Sequence, residues 1–209
     1  MHHNIVYLYI FDTMADWEVG YITAELNSGR FFKKDLAPVK IITVGMNKSP
    51  VVTMGGLKIL PDIEVDAFEI DKADALILPG GDTWTESVHL PILKTAEKCV
   101  EKGIVVAGIC GATIGLARKG LLDTKNHTSN DLGYLKAICP NYKGEQYYNQ
   151  ETAVADGKLI TASGIAPLEF SFQVLKALEV FSAETLGAWY RLYKTKEEKY
   201  YLKLMDSIC

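Results

Sequence analysis

The sequence predicts an α/β fold with a mostly parallel central sheet, and two observations carry the prediction. Short apolar, β-rich runs alternate along the chain with stretches of helical spacing, the pattern of βα units covered on both faces of a sheet. The 209 residues are 48% hydrophobic and 23% charged, globular proportions for one domain over residues 1–209. A chain of this size buries roughly 70% of its unfolded surface, enough for a full core.

In order, Ile5 to Phe11 reads as a buried strand and Asp16 to Arg30 as a helix, with Trp17, Tyr21, Ala24 and Leu26 broadly at helical spacing. Val39 to Val44 is the next strand. Gly45 to Leu60, punctuated by Gly55-Gly56, reads as a small hairpin. Ala75 to Leu78 is a short strand ending at Pro79-Gly80-Gly81. Leu90 to Lys102 is a helix, with Pro91 suited to its first turn and Gly103 to its end. Ile104 to Ala107 is a strand and Gly111 to Lys119 a helix. Thr152 to Ala162 reads as two strands about Asp156-Gly157, a hairpin signal. Pro167 to Val180 is a helix, and Ala183 to Leu204 a second long helical stretch, rich in Lys, Glu and Tyr.

Several function classes are disfavoured at once. The net charge is −4 and no basic patch is clustered, so nucleic acid is not an expected partner. No apolar run approaches the roughly 20 residues that span a bilayer, and Ile5 to Phe11 lacks the length and flanks of a signal peptide. Cys99, Cys110, Cys139 and Cys209 form no C-x-x-C pair, so reduced thiols in a cytoplasmic protein are expected. Cys139 and Cys209 read by default as surface thiols. His2 and His3 are set aside as native residues or a tag remnant. The tyrosines at 147, 148, 190, 193, 200 and 201 read as packing residues rather than a stacking surface.

In open sheets of this kind, ligands bind beyond the carboxyl ends of the strands. The chemistry is expected at Gly108-Ile109-Cys110-Gly111-Ala112, between a strand and a helix. This has the layout of a nucleophile elbow with Cys in place of Ser. Gly108 and Gly111 permit a strained turn, and the following helix aims N–H groups at the sulfur, which favours the thiolate. The bland alternative is a buried small hydrophobe. Pro79-Gly80-Gly81-Asp82 ends the preceding strand, either as an ordinary turn or with its Gly-Gly step turning a backbone N–H that, paired with that of Gly111, would form a two-donor oxyanion hole. His127, 17 residues after Cys110, is a candidate proton carrier, or else an ordinary core or surface histidine. His89 reads as a surface loop residue. Glu18 would project into the same crevice; buried beside the thiol it would have a raised pKa and donate to the sulfur. Its alternative is pairing, with Asp16, to a helix N-terminus.

Together, Phe11-Asp12 with Asp16-Trp17-Glu18, Leu78-Pro79-Gly80-Gly81, residues 107–112 and Asn126-His127-Thr128-Ser129-Asn130 resemble the ThiJ/PfpI family of the class I glutamine-amidotransferase-like superfamily. The resemblance covers about residues 4–180, and the part from about Ser182 looks like a helical extension of a subgroup. It implies a flavodoxin-like three-layer sandwich. It implies Cys110 as nucleophile, Glu18 as its acid, His127 as the nearby histidine, and Gly81 and Gly111 as oxyanion donors. It also implies no metal or organic cofactor, a homodimer, and a small-molecule or peptide substrate. One departure stands out: the family's peptidase branch carries a His directly after the nucleophile, where this chain has Gly111. The superfamily's glutaminase triad needs a His late in the chain, and none follows His127.

The leading expectation is a cytoplasmic cysteine-dependent hydrolase, of intracellular protease or amidase type. Cys110 attacks a carbonyl, Gly81 and Gly111 hold the oxyanion, His127 moves the proton and Glu18 tunes the thiol. The alternatives are a glyoxalase or deglycase acting on 2-oxoaldehydes or glycated groups, and a non-enzymatic redox sensor or stress-protection protein. The C-terminal stretch either covers an opening, packs on a second subunit, or docks on its own domain.

Overall fold

The computed structural model describes residues 4–34 and 36–208. His2, His3 and Cys209 lie outside the described residues. The expected alternation is present. Strand β1 (Ile5–Tyr9) leads to α1 (Asp16–Ser28) and then to β2 (Lys40–Gly45). The small hairpin β3 (Val51–Val52) and β4 (Lys58–Ile59) follows, then β5 (Ile63–Glu64) and β6 (Ala75–Leu78). Next come α2 (Leu90–Glu101), β7 (Val105–Ile109), α3 (Ala112–Arg118) and α4 (Leu132–Ile138). The chain closes with β8 (Ala153–Asp156), β9 (Leu159–Ala162), α5 (Pro167–Leu178), α6 (Ala183–Thr195) and α7 (Glu198–Asp206).

Seven strands form one sheet in the order β5-β2-β1-β6-β7-β9-β8. All neighbours pair parallel except β8 with β9, the hairpin expected at Asp156-Gly157. This is the flavodoxin-like α/β sandwich. The central strands β6, β7 and β9 are buried at every position, which explains their continuous apolar runs. Helices α1 and α5 pack on one another, while α2 and α3 lie against β7. Because the strands run parallel, the ends of β1, β6, β7 and β9 open on one edge, and the loops after them build the site.

The C-terminal region departs from one expectation. Ala183 to Leu204 is not a single helical stretch: the chain breaks at Lys196, which adopts φ 61° as the cap of α6. The break lets α7 fold back onto α6 and bury Leu204. Neither Gly nor Pro announces it. Helix α6 docks on its own domain, where Trp189 is fully buried and its indole N–H donates to Glu25 Oε1 at 3.0 Å. Arg30 grips the same carboxylate through Nε at 2.9 Å and Nη2 at 2.6 Å. Glu25 therefore ties α1, the loop after it and α6 together. Tyr190 and Tyr193 pack around this point, against Phe172 and Tyr21. Two further corrections concern single residues. Cys139 is a buried thiol, 3% exposed, not a surface one, and His89 is buried as well. Among the described residues no helix is long and apolar enough to cross a membrane.

Candidate active site

Cys110 follows the last residue of β7 and precedes α3, with φ at +57°. A non-glycine residue held there costs about 1–3 kcal/mol and persists only where its surroundings enforce it. The enforcement is visible. Cys110 N–H donates to Ala162 O of β9 at 2.9 Å, and Cys110 O accepts from Thr113 N at 3.1 Å and Thr113 Oγ1 at 2.6 Å. The strain sits on Cys110 itself, since Gly111 is already helical at φ −57°. Glycine is needed at 111 for room: a Cβ there would lie 2.8 Å from Gly81 O and 2.9 Å from Trp84 Cδ1. The two glycines named as oxyanion donors are therefore packed backbone to backbone beside the thiol.

Glu18, in the first turn of α1, is fully buried. Gly80 N–H donates to its Oε2 at 2.5 Å. Its Oε1 has no partner of conventional geometry and faces the Cys110 thiol across Gly164. A Cβ at Gly164 would lie 2.8 Å from Cys110 Sγ and 3.1 Å from Glu18 Oε1. Burial pushes the Glu18 carboxyl up, against the pull of Gly80 N–H and the thiol, as expected for this acid. The expectation of a thiol lowered by the helix end is not met. Burial pushes the Cys110 thiol up; Asn130 and Gly111 N–H pull it down, and a charged Glu18 adds to the rise. Helix α3 has only seven residues, a small dipole against that desolvation. Burial thus raises both the thiol and the carboxyl, and an ionised Glu18 favours the neutral thiol.

Asn130 is the member the sequence reading passed over. Its Nδ2 donates to Cys110 Sγ at 3.2 Å, and its Oδ1 accepts from Gly164 N at 2.8 Å and Ser163 Oγ at 3.3 Å. The backbone N–H can only donate, so it fixes the amide orientation and aims the NH2 at sulfur. The signal available was Asn130-Asp131 ahead of a helix: Asp131 caps α4, accepting from Tyr134 N at 2.6 Å. That helix was not foreseen.

His127 is not brought to Cys110. It is fully buried, with Nδ1 2.6 Å from Lys125 O and Nε2 2.6 Å from Tyr142 Oη. A carbonyl only accepts, so Nδ1 carries the proton and Nε2 accepts from Tyr142. Both nitrogens are thereby occupied, the ring is edge-on to Tyr142 and Tyr148, and burial pushes its pKa down. The geometry makes it a packing residue of the loop that carries Asn130. Among the described residues, no group of three or more His, Cys, Asp or Glu is gathered for a metal ion.

The DJ-1/PfpI family model matches residues 4–177. A Bacillus subtilis protein named "Uncharacterized protease YoaZ" is 54% identical over 208 residues, covering 100% of this chain and 99% of that protein. The crystal structure of a thiJ/pfpI family protein from Bacillus anthracis is 56% identical, with a TM-score of 0.96 over 98% of this chain and 97% of that one. A Caenorhabditis elegans protein named "Glutathione-independent glyoxalase DJR-1.2" is 24% identical, covering 68% of this chain and 74% of that protein.

Proposed function

The chain belongs to the DJ-1/PfpI family, and on that premise we propose that it is a cysteine-dependent enzyme of small reactive carbonyls, converting a 2-oxoaldehyde to the 2-hydroxy acid. The observation that carries this reading is the pairing of Cys110 with buried Glu18 while His127 is occupied elsewhere. Peptide hydrolysis needs a group to protonate an amine leaving group. The histidine of the peptidase branch has no space at 111, where even a Cβ meets Gly81 O and Trp84. A 2-oxoaldehyde has no leaving group. On its Asn130 and Tyr134 side Cys110 borders only a recess of about 10 Å3.

In this mechanism Cys110 sulfur, as thiolate, bonds to the aldehyde carbon, and the carbonyl oxygen takes the electron pair and then the proton of Glu18, which is left ionised. Gly81 and Gly111 N–H groups hold the developing oxyanion. The ionised Glu18 then accepts the proton from the aldehyde carbon and returns it to the neighbouring carbon, while the hydroxyl proton passes from the first oxygen to the second, leaving a thioester of the 2-hydroxy acid. Water cleaves the thioester and restores the thiol. The net change is addition of one water, with no external oxidant or reductant. Asn130 steadies the sulfur throughout. A protease is the reading suggested by the Bacillus subtilis relative's name, with Glu18 in place of His127 as proton carrier.

Methylglyoxal, supplied without glutathione and followed by NMR, tests the proposal. Lactate should appear with the wild type, vanish with Cys110→Ala, fall at least about 100-fold with Glu18→Gln, and persist with His127→Gln. Lactate absent in the wild type, or undiminished in Cys110→Ala, refutes it. Cleavage of a fluorogenic peptide that depends on Cys110 would put the hydrolase in its place, and sulfinate on Cys110 after peroxide with neither activity would favour a redox sensor.

A further inference from the structure

A second cavity lies on the far side of the Gly80-Gly81 loop from the thiol. It measures about 290 Å3 and is lined by Tyr9, Phe11, Asp12, Thr83, Glu86 and His89, with Asn47 and Ser49 on the rim. Neither Cys110 nor Glu18 borders it. The Phe11 ring stands between: a Cβ at Gly81 would lie 2.5 Å from Phe11 Cε2.

The floor is a hydrogen-bonded chain with a fixed direction. Tyr9 Oη is 2.8 Å from His89 Nδ1, and His89 Nε2 is 2.9 Å from Thr83 Oγ1. Tyr9 is fully buried and its hydroxyl proton has only Nδ1 to go to. His89 Nε2 therefore carries the ring proton and donates it to Thr83. The Thr83 hydroxyl proton is then left over, on a half-buried residue that borders the cavity. The His89 ring stays neutral, since burial pushes its pKa down to about 4. Its face stacks on Trp84 at 4.6 Å and meets Phe11 edge-on at 4.8 Å.

The charges bordering the cavity are of one sign. Asp12 and Glu86 are carboxylates, and no lysine or arginine lies among the bordering residues. Asp12 is anchored by Val52 N–H at 2.7 Å. Aromatic walls, two carboxylates and a spare hydroxyl donor select for a positive charge on a compact skeleton that also carries an acceptor. We propose that this cavity binds a small organic ammonium compound bearing a hydrogen-bond acceptor, at a site separate from Cys110. The ammonium faces Asp12 and Glu86, and the acceptor takes the Thr83 hydroxyl proton.

The test uses the full chain and 4-methoxybenzylamine, which carries both groups, against 4-methoxybenzoate of similar size and opposite charge. Saturable binding of the amine is read by saturation-transfer NMR and calorimetry, with an expected dissociation constant of about 1 mM for so small a ligand. Glu86→Gln should weaken it about 3–10-fold. Ser49→Trp, which places a bulky ring on the exposed rim, should block it, and Cys110→Ala should leave it unchanged. The thermal midpoints of both rim variants, matched to wild type, show that the fold is intact. Equal binding of the benzoate, indifference to both rim variants, sensitivity to Cys110→Ala, or no saturable binding below about 10 mM overturns the proposal.

Discussion

Replacing Gly164 with Ala puts a methyl group where the thiol and carboxyl face each other. The added carbon would sit 2.8 Å from Cys110 Sγ, 3.0 Å from Cys110 Cβ and 3.1 Å from Glu18 Oε1. Favourable carbon contacts lie at about 3.5–4.0 Å, so the sulfur has to retreat by most of an ångström. Cys110 cannot move as a unit, because its backbone is held by Ala162 and Thr113. The side chain must turn, which breaks its 3.2 Å contact with Asn130. Overpacking of this kind costs about 1–3 kcal/mol. For a domain of this size a midpoint shifts about 2–4 °C per kcal/mol, so Tm should fall by about 2–12 °C. A displacement near 1 Å at a reacting group costs on the order of 100-fold in rate. The assays are calorimetric Tm and the rate of Cys110 alkylation, read by peptide mass spectrometry. Gly20→Ala supplies the control: in α1, with nothing within 4 Å of the added Cβ, it should raise stability by about 0.5–1 kcal/mol and leave the thiol untouched. A Gly164→Ala protein with wild-type Tm and alkylation rate would refute the packing argument.

Three further outcomes are expected. Burial raises the Glu18 pKa above its ordinary 4.5, so its proton favours the folded state; that stability is whole below the unfolded value and is lost as pH rises through the folded one. Urea midpoints should therefore decline more from pH 4 to 8 in wild type than in Glu18→Gln, and parallel curves would show that Glu18 is not desolvated. Asn130→Asp keeps the acceptor for Gly164 N–H but turns the sulfur's donor into a negative charge, so alkylation of Cys110 at pH 7 should slow about 10-fold or more; an unchanged rate would remove Asn130 from the site. Trp189→Phe deletes the indole donor to buried Glu25 and should cost about 1.5–3 kcal/mol in urea denaturation, whereas a loss under 0.5 kcal/mol would mean that Arg30 alone satisfies the carboxylate.

The layered architecture was legible because its determinants are local. Ala75 to Leu78 and the hairpin about Asp156-Gly157 are readable as short apolar runs and turn residues, and the structure places both as expected. Strands such as β5, with two residues, and the seven-residue helix α4 are too short for periodicity to mark, and they exist because neighbours hold them. The break at Lys196 is of the same kind: packing of α7 on α6 forces a positive φ on a residue that does not favour it.

The sequence by itself determined the strand–Cys–helix elbow, the fold class and the residues from which a site had to be chosen. Only the tertiary structure decided among them. It set Glu18 against the thiol and gave Asn130 the contact with sulfur. It also committed His127 to Lys125 and Tyr142. The physical reason is that hydrogen-bond partnership is a matter of ångströms and direction between strand ends far apart in the chain. Spacing along the chain records which side chains are available. Whether a buried nitrogen is free to serve chemistry depends on which carbonyl or hydroxyl reaches it first.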